Sequence, residues 1–286
     1  MTQLNDYIQN YKERILFSGN LLRGEHDKNE HPDVVIQQGS VGLEKLLLMC
    51  KAFGKIRREI PYSKIIFPEP SVAGHVGKLI IAEIFLGKEK KRLVVWILCG
   101  RHHYYESGSA HEAAFMLRVC QKAGAKHFIL LNAVGGLSEK MKSGNTAYIT
   151  DCTGNIPSPN IGYDSVGSNR FVDATKLFDH GWYQRTMDAR VPSNRYFGVT
   201  GPEFESQSTA KDLRNRGFNT VGMSIIPEAY ALKAADPKAS IAAVSLITNE
   251  HFVSGAAVTH DAVIEMSKQS EGKLSEVVWK LLEHVQ

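Results

Sequence analysis

Five short stretches hold the side chains best suited to chemistry: Gly39-Ser40, Gly100-Arg101-His102-His103, Asn132-Ala133-Val134-Gly135-Gly136, Gly222-Met223-Ser224 and Thr248-Asn249. Together they offer a guanidinium, several hydroxyls, an imidazole pair and glycine-bearing turns. Such turns can aim backbone N–H groups at a ligand, and a guanidinium can donate two parallel bonds to an oxyanion. These are the parts of a cradle for phosphate or a similar anion. Gly-x-Gly-x-x-Gly and Gly-x-x-x-x-Gly-Lys-Ser/Thr are both absent, so neither a dinucleotide fingerprint nor a P-loop is available. Metal ligation is not indicated either. His102 and His103 face opposite sides of an extended backbone, and no His-x-x-x-His falls on a helical stretch.

Each of these stretches follows or ends an apolar, strand-like run: Asp33–Ile36, Leu93–Leu98, Phe128–Leu131, Thr220–Gly222 and Ile241–Ile247. Further strands are predicted at Leu79–Phe85, Thr146–Thr150 and Tyr196–Val199. The charged run Lys88-Glu89-Lys90-Lys91-Arg92 reads as a solvated hairpin turn. Helical spacing of apolar residues covers 4–16, Leu43 to Cys50, Glu112–Ala123 (closed by Gly124), 173–190, 207–216, 227–235 and 260–285. Thr259 is placed to cap the last. The stretch 151–172 is polar and turn-rich and predicts a long loop. Strands alternating with helices predict one α/β domain over 1–286, built on a central, largely parallel sheet. Ligands of open α/β sheets bind beyond the carboxyl ends of the strands, where the five stretches fall.

Composition narrows the partners. The chain has 286 residues, with 34 basic against 30 acidic side chains and a formal charge of +4. That excess is small and unclustered, whereas a nucleic-acid binder concentrates its basic residues. The longest apolar run, Leu93–Cys99, is far short of a membrane span. The opening Met1-Thr2-Gln3-Leu4-Asn5-Asp6 has no leader pattern. The four cysteines lack Cys-x-x-Cys spacing, which fits free thiols in a reducing compartment. The expectation is a cytoplasmic protein that binds neither nucleic acid nor membrane.

Seven motifs, in order, resemble those of trimeric purine nucleoside phosphorylases. They are Val72-Ala73-Gly74-His75-Val76-Gly77, Gly100-Arg101-His102-His103-Tyr104-Tyr105-Glu106 and Asn132-Ala133-Val134-Gly135-Gly136-Leu137. Gly201-Pro202-Glu203-Phe204-Glu205-Ser206 and Gly222-Met223-Ser224-Ile225-Ile226-Pro227-Glu228 follow. Ser245-Leu246-Ile247-Thr248-Asn249 and Thr259-His260-Asp261 complete the series. The resemblance implies a three-layer α/β/α fold with a mixed, mostly parallel sheet. It implies phosphorolysis of purine nucleosides to free base and pentose 1-phosphate, with inorganic phosphate as co-substrate and no metal or organic cofactor.

By the same resemblance, Ser40, Arg101, His103, the backbone of Ala133 and Ser224 surround phosphate, with His75 nearby. Glu205 and Asn249 bind the base, Phe204 and Met223 give apolar contact, and Tyr105 and His260 reach the ribose. Asn249, Glu205 and His103 are the implied catalytic residues. A homotrimer is implied, with Phe171 reaching the neighbouring subunit's site, and Glu250–Thr259 is the candidate lid. For several residues a purely structural role is the alternative. Ser40 and Ser224 would cap the helices that follow, Glu205 would be a helix-start carboxylate, and Phe171 would anchor its loop within its own subunit.

The chain departs from the family at several places near the site. The phosphate turn reads Gly39-Ser40-Val41-Gly42-Leu43-Glu44, with a valine that resists positive φ and a carboxylate close to an anion site. Asn249 is followed by Glu250-His251. The segment between Arg185 and Gly201 is shorter than usual in the family. Specificity for 6-oxopurines is the leading expectation. The alternatives are a methylthioadenosine phosphorylase, which favours Asp at the Asn249 position, and a non-catalytic nucleoside-binding homologue.

Overall fold

The computed structural model describes residues 2–24, 31–39, 44–65, 70–162, 171–186, 191–251 and 258–285. The N-terminal helix α1 (Thr2–Gly24) runs well past the predicted 4–16. It buries Ile8, Tyr11, Ile15, Ser18 and Leu22, a helical stripe in which small Ser18 and Gly19 continue the apolar face. Strand β1 (Val34–Gln38), helix α2 (Glu44–Ala52) and strands β3 (Lys78–Leu86) and β4 (Lys91–Cys99) follow the apolar runs. Between α2 and β3 lies β2 (Gly54–Pro61), which the sequence reading missed. Its Lys55, Arg57, Arg58 and Glu59 hide the alternation. Charged side chains are what an exposed sheet edge requires. Buried Glu83 on β3 gathers this edge, accepting from Arg57 Nη2 at 2.8 Å and from Arg92 Nε at 2.7 Å.

The single helix expected over Glu112–Ala123 is divided between two short ones, α4 (Ala110–Ala113) and α5 (Phe115–Lys122), which follow α3 (Tyr104–Ser107). The chain turns at Ala114, and Gly124 ends α5 at φ +113° as expected. Strand β5 (His127–Gly136) runs past the predicted Phe128–Leu131 through Gly135 and Gly136, and β6 (Thr146–Gly154) takes the first residues of the expected loop. Of the helix expected over 173–190, the described residues form a 3₁₀ turn at Ala174–Lys176 and a short α6 (His180–Thr186), and 187–190 lie outside them. Strand β7 (Ser193–Gly198), α7 (Gln207–Asn215), β8 (Thr220–Gly222), α8 (Ile226–Ala235), β9 (Ser240–Glu250) and α9 (His260–Glu283) complete the chain.

Among the described residues, nine strands form one mixed sheet in the order β2-β3-β4-β1-β5-β8-β7-β6-β9, and β5 also pairs with β9. The last pairing closes β5, β8, β7, β6 and β9 into a ring, so the sheet is open at β2 and closed at its other end. Parallel pairs β4–β1–β5–β9 form the centre, and β2–β3–β4 and β6–β9 are antiparallel. Inside the ring a chain of buried polar groups crosses the strands. Thr220 donates to Asn194 Oδ1 (2.9 Å), Asn194 Nδ2 to Ser245 Oγ (3.2 Å), and Ser245 to Asn132 Oδ1 (2.9 Å).

The helices fall into two packed groups, as three layers require: α2, α6 and α9 in one, α1, α4, α5 and α8 in the other. All four cysteines are buried free thiols, and burial pushes Cys50, Cys99 and Cys152 up to about 12. No helix among the described residues is long and apolar enough to cross a membrane.

Candidate active site

A cleft of about 350 Å³ opens where the carboxyl ends of β4, β5, β8 and β9 meet. It is lined by Arg101, His103, Tyr105, Ala133, Phe204, Glu205, Met223, Ser224, Asn249 and His260, all singled out from the sequence. His251, Thr248, Val263 and the Gly135 backbone also contribute.

At one end is Arg101, two residues beyond β4 and only 3% exposed. Its Nε donates to Glu228 Oε1 at 2.7 Å, its Nη2 to Glu228 Oε2 at 3.2 Å, and its Nη1 to the Leu131 carbonyl at 2.6 Å. A guanidinium has five N–H donors. Among the described residues these bonds leave an N–H on each terminal nitrogen for a ligand. Burial pushes the Glu228 carboxyl up, and the Arg101 charge opposes this. Gly39 comes so close that a Cβ there would lie 2.9 Å from Arg101 Nη1 and 3.4 Å from His75 Nε2. Only glycine lets the backbone after β1 approach the cation this way.

Two imidazoles stand beside the cation, their ring centroids 5.2 Å apart. His75 Nδ1 is held by the Arg101 backbone, 2.8 Å from its carbonyl oxygen and 3.2 Å from its N–H. Burial, aided by neighbouring His103, lowers its pKa to about 3. His103 lies at the N-cap of α3, and its Nδ1 donates to Glu106 Oε1 at 3.1 Å. Burial lowers the His103 pKa and Glu106 partly offsets it. Burial would raise the Glu106 carboxyl, but hydrogen bonds from His103 and Ser71 overcome it and hold the group well below its usual range. Tyr105 stacks on the other face of His103, 4.8 Å away at an interplanar angle of 10°.

Ala133 and Asn249 were expected beyond strand ends, yet both lie within strands. Strands β5 and β9 stay paired to Gly136 and Glu250, with a bulge between Val134 and Gly135. The bulge shifts the register so that Gly135 faces Asn249, which re-aims a side chain without ending the ladder. Ser224 is not the cap of α8: that position is Ile225, at φ +62°. Ile226 N–H donates to the Ser224 carbonyl at 2.7 Å, forming a γ-turn that few β-branched residues adopt. Tyr196 OH clamps Ser224 from below, accepting from its N–H and donating to its carbonyl, both at 3.1 Å. Backbone strain held in place by packing is a common feature of functional sites.

At the far end, Glu205 is not a helix-start carboxylate. Ser206 caps α7 by accepting from Thr209 N–H at 3.2 Å, and the Glu205 side chain turns into the cleft, 4% exposed. There it meets His251, whose Nε2 lies 2.9 Å from Glu205 Oε2 and 3.2 Å from Asn249 Nδ2. Phe204, at 40% exposed, edges the opening. His260 opens α9 and donates from Nε2 to the Ala73 carbonyl at 3.2 Å. Thr259 caps that helix as expected.

Not every expected residue lines the cleft. Ser40, Val41, Gly42 and Leu43 lie outside the described residues, as do 252–257 of the candidate lid. Glu44 opens α2 on the surface. His75 lies behind the lining, next to Gly39 and Arg101. Phe171 is 86% exposed, away from its own chain's cleft, so it does not anchor its loop by burial. Three residues escaped the sequence reading. Glu106 and Glu228 stand inside the family-like motifs with no role implied for them, and His251 is a departure from the family pattern. A carboxylate three residues after a histidine at a helix start was the available signal for Glu106.

The chain is similar to known proteins over most of its length. A model of the phosphorylase superfamily matches residues 48–283. Purine nucleoside phosphorylase 1 of Geobacillus stearothermophilus is 31% identical over 221 residues, 74% of this chain and 78% of its own. The Bos taurus purine nucleoside phosphorylase is 29% identical over 266 residues, 87% of each chain. The crystal structure of Schistosoma mansoni purine nucleoside phosphorylase in complex with inosine superposes with a TM-score of 0.79 at 26% identity. The match covers 95% of this chain and 96% of that one. Likeness along most of the length, in both sequence and fold, makes the chain a member of the phosphorylase superfamily, a pentosyltransferase of the purine nucleoside phosphorylase family.

Proposed function

We propose that the chain catalyses reversible phosphorolysis of 6-oxopurine ribo- and deoxyribonucleosides, such as inosine and guanosine. The observation that carries this reading is a single cleft with a buried guanidinium at one end and a buried carboxylate beside a carboxamide at the other.

Arg101 and His103, with Ser224, Ala133, His75 and Ser40 around them, hold inorganic phosphate. Glu228 fixes the guanidinium plane so that its remaining N–H groups aim at the anion, and Glu106 orients His103 through Nδ1. Holding the nucleophile in place removes orientational freedom from the attack. Tyr105 and His260 bind the ribose hydroxyls, and Phe204 and Met223 contact base and sugar. Phosphate attacks the anomeric carbon as the bond to N9 lengthens, through an oxocarbenium-like transition state. The bond to N9 breaks with its electron pair leaving on the purine. Glu205 accepts from N1–H and the Asn249 amide meets both O6 and N7, so the departing negative charge meets fixed polar groups. Contacts that strengthen as charge develops lower the barrier more than they aid ground-state binding. No metal or organic cofactor enters this scheme. A homotrimer with Phe171 directed at the neighbouring site belongs to the same reading, and its 86% exposure supports it.

Release of hypoxanthine from inosine, followed with and without inorganic phosphate, tests the reaction. Release that requires phosphate and yields ribose 1-phosphate is expected; release independent of phosphate overturns it. Asn249→Asp tests the base assignment. An acceptor in place of the amide donor is expected to move the kcat/KM ratio of inosine to adenosine toward adenosine by at least roughly tenfold. An unchanged ratio removes Asn249 from base recognition.

A further inference from the structure

We propose that His251 is a third base-reading residue, its Nε2–H donating to the six-position carbonyl between the contacts of Glu205 and Asn249. The inference deepens the reading above and rests on it.

The geometry is specific. The imidazole is 7% exposed and wedged between the buried Glu205 carboxylate, Oε2 at 2.9 Å, and the half-buried Asn249 amide, Nδ2 at 3.2 Å. Its seat exists because residue 135 has no side chain: a Cβ there would lie 2.5 Å from both Cδ2 and Nε2 of His251. One ring nitrogen cannot donate to the carboxylate and accept from the amide at once. An ionised carboxylate only accepts, so Nε2 carries the proton. That places two donors, His251 Nε2–H and Asn249 Nδ2–H, side by side 3.2 Å apart in the cleft. A donor facing a donor is unfavourable in a buried site, and the pair needs two neighbouring acceptors. A 6-oxopurine presents such a pair, O6 and N7, whereas a 6-aminopurine presents N7 and an N–H donor. The cleft is therefore poised for the 6-oxo ring. Glu205 exchanges His251 for N1–H, His251 exchanges Glu205 for O6, and the amide donor gains N7. Against a 6-amino group, the His251 N–H meets another donor and Glu205 meets the N1 lone pair.

The test compares the wild type with His251→Leu, which removes the donor, and His251→Gln, which keeps an N–H at similar reach. Kinetics with inosine and adenosine are paired with calorimetric binding of hypoxanthine, adenine and unsubstituted purine. For His251→Leu we expect inosine kcat/KM and hypoxanthine affinity to fall about ten- to a hundredfold, unsubstituted purine to fall far less, and the inosine-to-adenosine ratio to drop. His251→Gln restores most of the loss. An equal loss for hypoxanthine and unsubstituted purine, or no loss for either, overturns the proposal. Absence of phosphate-dependent turnover in the wild type overturns the reaction instead, and the calorimetry with free bases still decides the part played by His251.

Discussion

Arg101 is a cation taken almost wholly out of water, and its partner Glu228 is what makes that arrangement tolerable. Removing one member of a buried pair leaves an uncompensated charge and typically costs about 3–5 kcal/mol. Glu228→Gln is expected to lose stability on that scale, read as a lower thermal midpoint. In the proposed site inorganic phosphate is the next available counter-charge, so saturating phosphate is expected to raise the variant's midpoint more than the wild type's. An equal rise in both would mean that the anion does not rest on Arg101. The side-chain types at this site were legible in the sequence: Arg101, His103, Glu205, Asn249 and Ser224 all line the cleft. What local sequence could not show is which partner each takes. Glu205 and Ser206 were equally placed to start α7, and only the fold shows Ser206 capping the helix while Glu205 meets His251.

At the scale of elements, neighbouring glycines on β5 do different jobs. A Cβ on Gly136 would lie 2.1 Å from the carbonyl oxygen of Met141, a backbone atom that cannot swing away. Gly136→Ala is expected to cost about 3 kcal/mol in urea unfolding. At Gly135 the nearest atoms are side-chain atoms of His251 and Asn249. Gly135→Ala is therefore expected to change stability by no more than about 1 kcal/mol while shifting the inosine-to-adenosine ratio. A large stability loss with an unchanged ratio would contradict that division. The buried polar chain through Asn194 gives a third expectation. Asn194→Ala leaves Thr220 and Ser245 each short of a partner and is expected to cost about 1–3 kcal/mol. These glycines read as strand breakers in the sequence because propensity is local. They are strand residues here because ring closure brings β8 and β9 to either side of β5.

Over the whole molecule, buried imidazoles set the response to acid. Burial holds His75 at about 3 and His111 at about 4, against an ordinary value of 6.5, and His103 is lowered as well. Between those values the unfolded chain binds more protons than the folded one, so stability falls as pH drops. Glu106, held below its usual range, adds to the loss in the lower part of that window. Urea midpoints are expected to be level above about pH 7 and to decline steadily from pH 6.5 downward. A midpoint that rises or stays flat over that range would show that these imidazoles are not held neutral.

The sequence by itself determined the alternation of strands and helices, the apolar runs of the core and the identity of most cleft side chains, because these rest on periodicity and residue chemistry. It did not reveal β2, whose alternation is hidden by charged side chains such as Arg57, paired across strands with Glu83. Nor did it reveal the break at Ala114 or the β5–β9 pairing that closes the ring. Tertiary structure alone decided that His251 stands between Glu205 and Asn249. That position depends on a bulge in one strand and a missing Cβ on another, more than a hundred residues apart in the chain and side by side only after folding.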